Sequence, residues 1–375
     1  MRWPIIIGCV VALGACGSGK SDKKPTKAKP TTDAKAKAEP VVADAGAKTG
    51  PRKISLPKAP PVPPAPRGLP ETPSPKYNPT TPNKVMLGRM LFFDKRLSSK
   101  KNVSCDTCHI PEYGWSDRRP RSPTANGKLN LRHTPTLNNI GYVKLFRWDG
   151  YTNSLEAFIE VHWRGQYATL SRDVMKRLRR IPEYRAHFAR SFDKRGITPK
   201  LAIAALSAFV RTIRSGNSPW DKYELDNDEK AVSKSAIAGA KLFRDTAQCG
   251  TCHPPPHYMD NLFHNKGIGM GIQIQDRGRA HVTKDDKDTG AFRTPTLRGI
   301  TRTAPYFHDG SAESLAKAVG FSLSGGFRTN NPHIDPKLQP ITLSAGQQAD
   351  LLAFLKALTP AATGVKRPVL PPDPK

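Results

Sequence analysis

Apolar residues recur at helical spacing in several parts of the chain, and no stretch of useful length alternates between apolar and polar residues. Thr198 is an N-cap in front of Pro199, and the apolar residues that follow keep the period of a helix. Ser344 and Gln347 form a capping box for a second helix over 347–358. The pattern predicts an all-α fold in which the apolar stripes form the core.

A different apolar pattern opens the chain. The run Ile5–Leu13 follows Arg2 and is too short to span a bilayer, which is typical of a signal peptide. Small residues then precede Cys16, an arrangement that resembles the lipobox of bacterial lipoproteins, in which the cysteine is acylated. Residues 1–16 are therefore predicted to be a lipoprotein signal peptide, with an ordinary export signal as the alternative. Because Gly17 is not the Asp that often retains lipoproteins at the inner membrane, we expect a periplasmic protein anchored at the outer membrane.

Residues 17–78 have the composition of a disordered linker. The stretch 17–76 contains 13 of the 36 prolines and no aromatic residue, so it cannot bury a core. The whole chain has 375 residues and a formal net charge of +29, and the part beyond the linker is itself basic. A basic surface favours acidic partners or anionic surfaces. The remaining length is enough for about two domains.

The cysteines outside the signal peptide form two Cys-x-x-Cys-His motifs, at Cys105–His109 and Cys249–His253. This is the attachment pattern of c-type haem. The predicted porphyrin-binding residues are Cys105, Cys108, Cys249 and Cys252, and the predicted iron ligands are His109 and His253. The alternatives fit less well. Zinc-ribbon pairs usually lie about 15–20 residues apart, a thioredoxin-like site does not need the His, and a disulfide across two residues is strained.

The two motifs stand in halves of the chain that repeat each other. The matching segments are Gly88–Phe92 with Gly239–Phe243, Thr134–Leu137 with Thr294–Leu297, Trp148–Gly150 with His308–Gly310, and Ser154–Leu155 with Ser314–Leu315. The repeat predicts two cytochrome c-like haem domains in tandem, over 79–226 and 227–359, followed by a tail over 360–375.

The repeat also indicates one residue on the distal side of each haem. His162 lies seven residues after Leu155, and Ser322 lies seven residues after Leu315. Three roles are open for His162. It could be a general acid–base group for peroxide, an iron ligand that leaves only electron transfer, or a surface residue.

Residues 79–358 resemble the bacterial di-haem cytochrome c peroxidase family, which includes the di-haem enzyme that matures the tryptophylquinone cofactor of methylamine dehydrogenase. Besides the repeated segments, the resemblance rests on Arg132–Leu137, Ile181–Tyr184, Phe263–Asn265, Ala291–Leu297 and Thr303–Tyr306. It implies a peroxide-reacting haem in the N-terminal domain. It also implies a second haem in the C-terminal domain that receives electrons and stores an oxidising equivalent.

The resemblance carries over to particular residues. Trp148 matches a tryptophan that lies between the two haems. Gln166 falls at or near the position of a distal Glu, Phe158 at that of a distal Gln, and His162 at that of a distal Pro. The segment 110–131 contains no His, so the switchable distal His of many members has no counterpart there.

The position that supplies the sixth ligand of the second haem holds Ser322, where the family has Met or Tyr. Serine is a poor iron ligand. The second haem is therefore either five-coordinate or bound by another side chain, and Met259, Met270 and His264 are the candidates.

The resemblance also implies a calcium ion between the domains, with carbonyl oxygens from Thr303 and Pro305. The position of an Asn ligand holds His133, which weakens the case because calcium prefers oxygen. Calcium is left open.

The function expected from these features is reduction of hydrogen peroxide, with electrons relayed through the second haem and Trp148. The expected partners are peroxide, a small donor cytochrome or cupredoxin, and the membrane through a lipid at Cys16, while a homodimer is open. The alternatives are an oxidase or cofactor-maturation enzyme, and a non-catalytic periplasmic electron carrier. Nucleic acid is not an expected partner of an exported haem protein.

Overall fold

The structure is a computed structural model that describes residues 54–167, 172–193, 195–269, 276–362 and 364–373. The predicted signal peptide, the lipid site Cys16 and the first part of the predicted linker lie outside these residues, as does Met270.

The described residues are mostly helical, with one small antiparallel sheet. The α-helices are α1 (Pro82–Phe92), α2 (Leu155–Gln166), α3 (Arg172–Arg180), α4 (Pro182–Ser191), α5 (Pro199–Val210), α6 (Pro219–Asp226), α7 (Lys234–Arg244), α8 (Ala280–Thr283), α9 (Leu315–Leu323) and α10 (Ala345–Ala357). Strand β1 (Phe263–Asn265) pairs with β2 (Ala291–Arg293), which modifies the all-α prediction. None of the described helices combines the length and apolar character needed to cross a bilayer.

The first hydrophobic core is built from α1 to α5 and is organised by a close helix crossing. A side chain at Gly88 of α1 would have its Cβ 1.9 Å from the Ala205 carbonyl oxygen of α5, so only glycine allows this approach. The crossing brings Phe92 of α1 against Phe209 of α5, with ring centroids 5.3 Å apart. Both rings are buried.

The second core repeats this construction with α7 and α10. A Cβ at Gly239 would lie 1.9 Å from the Asp350 carbonyl oxygen, and Phe243 packs on Phe354 at 5.0 Å between centroids. Trp220 of α6 also packs on Phe354, at 4.8 Å. Helix α6 therefore packs with the second half, whereas the boundary predicted after Asp226 placed it in the first domain.

Residues 54–78, which were included in the predicted disordered linker, lie against the folded part. Arg214 donates hydrogen bonds to the carbonyl oxygens of Pro63 and Pro64 at 2.6 and 2.9 Å. Deeper in, Arg298 donates to the Gly68 carbonyl oxygen at 3.0 Å and to both oxygens of Asp221 at 2.8 Å each. The segment has little apolar surface of its own, so the prediction missed it. Its carbonyl groups are held by arginines that lie far away in sequence.

The predicted tail also returns to the body of the protein. Arg367 donates to Glu112 at 3.0 Å and to Asp106 at 3.3 Å, and Leu370 packs against the first core. Asp106 stands inside the first Cys-x-x-Cys-His motif. The tail thus covers the outside of that motif.

Removing one partner of the buried ion pair between Arg298 and Asp221 is expected to be strongly destabilising, because each side chain is only 2% exposed. Arg298→Met would leave the carboxylate buried without its partner. We expect the free energy of unfolding to fall by about 3–5 kcal/mol. Urea unfolding of the holoprotein, followed by far-UV circular dichroism, measures the loss.

Arg67→Ala is the matched control, because the ion pair of Arg67 with Asp226 lies at the surface, with the two side chains 51% and 31% exposed. Its cost should stay below about 1 kcal/mol. Adding Asp221→Asn to Arg298→Met should cost less than the sum of the single changes. A loss for Arg298→Met no larger than that for Arg67→Ala would contradict the prediction.

Candidate functional site

The first Cys-x-x-Cys-His motif lies on one wall of a cavity of about 410 Å³. The Ser104 amide donates to the Thr107 hydroxyl at 3.0 Å, which fixes the short 3-10 turn Cys105–Thr107. His109 Nδ1 donates to the Trp115 carbonyl oxygen at 2.9 Å, so Nε2 is the nitrogen left for the cavity. Burial lowers the pKa of His109, which favours the neutral imidazole that binds metals.

Helix α2 supplies the facing side chains. It begins after the N-cap Ser154, and Phe158, His162 and Gln166 follow at four-residue spacing, all lining the cavity. His162 Nδ1 donates to the Phe158 carbonyl oxygen at 3.0 Å, and the two rings lie 4.2 Å apart between centroids. Burial lowers the pKa of His162 to about 4, so the ring is neutral, and its Nε2 lone pair has no partner among the described residues.

Gln166 adds an acceptor to the same wall. Its Nε2 donates to Asn130 Oδ1 at 2.7 Å, which fixes the amide. Its Oε1 is buried and has no hydrogen-bond partner among the described residues. A buried acceptor without a donor costs about 1–3 kcal/mol, so this oxygen is suited to a ligand or water in the cavity.

The mouth of the first cavity is completed by the second half of the chain, which the sequence did not indicate. Asp276, Arg277 and His281 line the cavity with Arg132 and Asp149. Arg132 donates to Asp276 at 2.6 and 2.8 Å and to Asp149 at 2.6 Å. The hydrogen bonds from Arg132 outweigh the effect of burial and lower the pKa of Asp276. This arginine therefore ties the two halves together beside the cavity.

The second motif lines a separate cavity of about 240 Å³. His253 Nδ1 donates to the Tyr258 carbonyl oxygen at 2.9 Å, the same arrangement as in the first half. Burial lowers the pKa of His253 to about 4. Cys249 and Cys252 lie beside it on the cavity wall.

The distal wall of the second cavity includes Ser322 of α9. Two of the candidates for the sixth ligand are unsuited. His264 is bonded through Nδ1 to Asp335 and through Nε2 to Asp260, so both ring nitrogens are engaged. Burial opposes its charged form, but Asp260, the neighbouring Cys252 thiol and Asp335 together raise the pKa of His264 to about 10. Met259 packs in the first core, away from this cavity.

Sequence reasoning missed Lys266, which lines the second cavity and donates from Nζ to Ser322 Oγ at 2.6 Å. The residue directly follows the Phe263–Asn265 segment, which the sequence analysis had singled out. Its contact with Ser322 could not be predicted, because the two residues are far apart in sequence.

Trp148 lines both cavities. Its indole Nε1 donates to the His133 carbonyl oxygen at 2.9 Å, and its own carbonyl oxygen accepts from the Arg293 amide at 2.8 Å. The ring is buried and fixed at the boundary between the two sites.

Thr303 and Pro305 line a small pocket with His133 and Arg293. His133 Nε2 lies 3.2 Å from Ser116 Oγ, and its Nδ1 donates to a backbone carbonyl oxygen. Among the described residues that line this pocket there is no carboxylate. Calcium normally takes six to eight oxygen ligands, so the calcium site stays a prediction without support from a charged ligand.

Both large cavities fit a covalently attached haem. Each joins two free thiols and a buried imidazole whose Nδ1 is already bonded, and most of the remaining wall is apolar. A c-type haem needs these three groups and an apolar surrounding. Cys105, Cys108 and His109 would hold one haem, and Cys249, Cys252 and His253 the other.

Comparison with known proteins agrees with this chemistry. The family model for di-haem cytochrome c peroxidase matches residues 82–230. The chain is 35% identical over 294 residues to the methylamine utilization protein MauG of Methylorubrum extorquens, covering 77% of this chain and 82% of that protein. It is 34% identical over 325 residues to the cytochrome-c peroxidase IdrP1 of Denitromonas iodatirespirans, covering 78% of this chain and 84% of that protein.

Among solved structures, a MauG-like protein associated with microbial copper homeostasis aligns with a TM-score of 0.71 and 31% identity, over 82% of this chain and 95% of that chain. The chain belongs to the di-haem cytochrome c peroxidase family. It is an oxidoreductase of the cytochrome-c peroxidase type, and membership implies two haem c groups.

We expect the intact chain to carry two haems and a variant with Cys105→Ala and Cys108→Ala to carry one. Thioether bonds survive denaturation, so acid–acetone extraction should leave the colour on the chain. Intact-mass spectrometry counts the haems. Cys249→Ala with Cys252→Ala is the reciprocal variant and should also retain one. A wild-type chain with one haem or none would refute the prediction that each of the two motifs binds a haem.

Proposed function

We propose that this protein reduces hydrogen peroxide in the first cavity, with electrons that arrive from the second cavity through Trp148. The observation that carries the proposal is the Nε2 of His162, which has no hydrogen-bond partner among the described residues and belongs to the same cavity as Cys105, Cys108 and His109. The overall reaction consumes one peroxide, two electrons and two protons and yields two water molecules. The haem iron would supply the redox chemistry and the site at which peroxide binds.

His162 is the proton-moving group in this proposal. Its Nδ1–H is fixed on the Phe158 carbonyl oxygen, so a proton can be exchanged only at Nε2. Nε2 accepts a proton from the proximal peroxide oxygen and returns it to the distal oxygen, which leaves as water. A positioned base of this kind typically contributes about 10²–10⁴-fold to a rate.

Gln166 has a supporting role, because an amide does not titrate. Its unpartnered Oε1 can accept a hydrogen bond from peroxide or from a water molecule in the cavity. Asn130 holds the amide group in the orientation that presents this oxygen. The residue therefore orients the substrate while His162 moves the proton.

Electron supply uses the second cavity. Trp148 borders both cavities and is held by hydrogen bonds at both its ring and its backbone, so it provides a fixed aromatic group between the two sites. The donor we propose is a small acidic cytochrome or cupredoxin, because the chain carries a net charge of +29.

His162→Ala should slow the reaction of the ferric protein with peroxide by about 10²–10⁴-fold. The spin state of the ferric haem in the first cavity should be unchanged, because the proposal does not make His162 an iron ligand. Stopped-flow absorbance measures the rate, and electron paramagnetic resonance reports the spin state. If the substitution instead converts a low-spin haem to high spin and raises the activity, His162 is a ligand and the electron-carrier function is favoured.

The pH dependence provides the control. Because burial lowers the pKa of His162 to about 4, the neutral base is present at neutral pH and is lost as the pH falls through that value. The wild-type rate should therefore fall only in that acid range, and His162→Ala should lose this acid limb. His333→Ala, a histidine outside both cavities, should keep the wild-type rate and profile. An identical profile in His162→Ala would refute the role of His162.

We also propose that the mature protein is anchored at the periplasmic face of the outer membrane through a lipid on Cys16. The support is the short apolar run and the small residues before Cys16. Cys16→Ser should move the protein from the membrane fraction to the soluble fraction of the periplasm with its haem content unchanged. Membrane retention of this variant would show that Cys16 is not the anchor.

A further inference from the structure

Two lysines, Lys266 and Lys337, line the second cavity, and the amine of Lys266 contacts the serine of α9 there. Lys266 Nζ donates to Ser322 Oγ at 2.6 Å and lies 5.1 Å from the centroid of the Phe307 ring. In the described part of the chain, no carboxylate lies within ion-pair distance of this amine. Cys249 and His253 line the same cavity.

The backbone around Lys266 fixes where its side chain starts. Its carbonyl oxygen accepts from the Phe327 amide at 3.0 Å. Gly326 packs against this carbonyl group so closely that an added Cβ would lie 2.4 Å from the oxygen. The preceding residue, Asn265, donates to Asn331 Oδ1 at 2.9 Å. The amine therefore reaches the cavity from a fixed point at the end of β1.

An unpaired ammonium group is costly in such a place. Burial disfavours the charged form of Lys266 and lowers its pKa. A neutral amine has a lone pair that can bind a metal. The Ser322 hydroxyl accepts a hydrogen bond from this amine while it donates its own proton to the Ala318 carbonyl oxygen at 2.8 Å. Ser322 therefore orients the amine without competing for its lone pair.

We propose that Lys266 Nζ binds the iron of the second haem on the face opposite His253. The inference rests on the proposed function, because it requires a haem attached at Cys249 and Cys252. It identifies a sixth ligand for the second haem, which Ser322 of α9 cannot provide because a serine hydroxyl is a poor iron ligand. His264 has no free ring nitrogen, and Met259 lies in another core.

The internal repeat gives the proposal a second basis. Ser322 on α9 and His162 on α2 occupy equivalent positions after the N-caps Ser314 and Ser154. His162 lines the first cavity, and in the second cavity the equivalent residue, Ser322, is in direct contact with the Lys266 amine. A nitrogen on both faces of the second haem would close that iron to peroxide and leave the first cavity as the place of reaction.

Lys266→Ala and Lys266→Arg test the ligand in the intact holoprotein. Both should convert the second haem from low spin to high spin in the ferric state and open it to added imidazole, as seen by electron paramagnetic resonance and absorbance. Arginine keeps the positive charge but does not ligate, so a purely electrostatic role would be rescued by Lys266→Arg. Ser322→Ala removes the hydrogen bond but keeps the amine, and should remain low spin.

A measurement on the unmutated protein covers the case in which the variants do not fold. With lysine labelled by ¹⁵N at Nζ, pulsed electron paramagnetic resonance should detect a ¹⁵N nucleus coupled directly to a low-spin ferric haem. A missing coupling, or a low-spin second haem in both Lys266 variants, would overturn the inference. Intact mass of the wild-type protein shows whether a haem is attached at Cys249 and Cys252. If that haem is present, a missing ¹⁵N coupling refutes only the Lys266 ligand and leaves the proposed function untouched.

Discussion

Each cavity depends on the same kind of hydrogen bond, from Nδ1 of its motif histidine to a backbone carbonyl oxygen. His109 donates to Trp115 and His253 donates to Tyr258, each at 2.9 Å. The bond fixes the tautomer and the ring orientation, so that Nε2 is the nitrogen presented to the cavity. Without this bond a buried imidazole would present either nitrogen, and the geometry on the facing helix would have no fixed reference.

The carbonyl groups are in turn positioned by the helix crossings beneath them. In the first half, Trp115 packs edge-on against Phe92, one turn after Gly88 on α1. In the second half, Tyr258 packs against Phe243, one turn after Gly239 on α7. A close crossing, a phenyl ring, an aromatic residue and a histidine thus follow one another in the same order twice. This order gives the repeated Gly and Phe positions a physical reason.

The sequence predicted well those features that depend on neighbours in the chain. The two motifs, the N-cap of α5 and the capping box of α10 are local patterns, and the structure has helices where the two caps predicted them. It predicted poorly those that depend on distant partners. The ordering of residues 54–78 depends on arginines such as Arg214, and the amine beside Ser322 comes from Lys266, the residue after β1. Counting residues along α9 identifies Ser322, which is an unsuitable ligand, but cannot show that Lys266 contacts it.

Contacts between residues that are far apart in sequence also join the two halves. Arg132 of the first half is bonded to Asp276 of the second, and Arg277 and His281 follow at the mouth of the first cavity. An isolated first half would therefore have an incomplete cavity, and its mostly buried Arg132 would keep only the ion pair with Asp149. Trp148 has the converse position, because it belongs to the first half and forms part of the wall of the second cavity. Each half thus completes the site of the other, so a change at this boundary alters the surroundings of both haems at once.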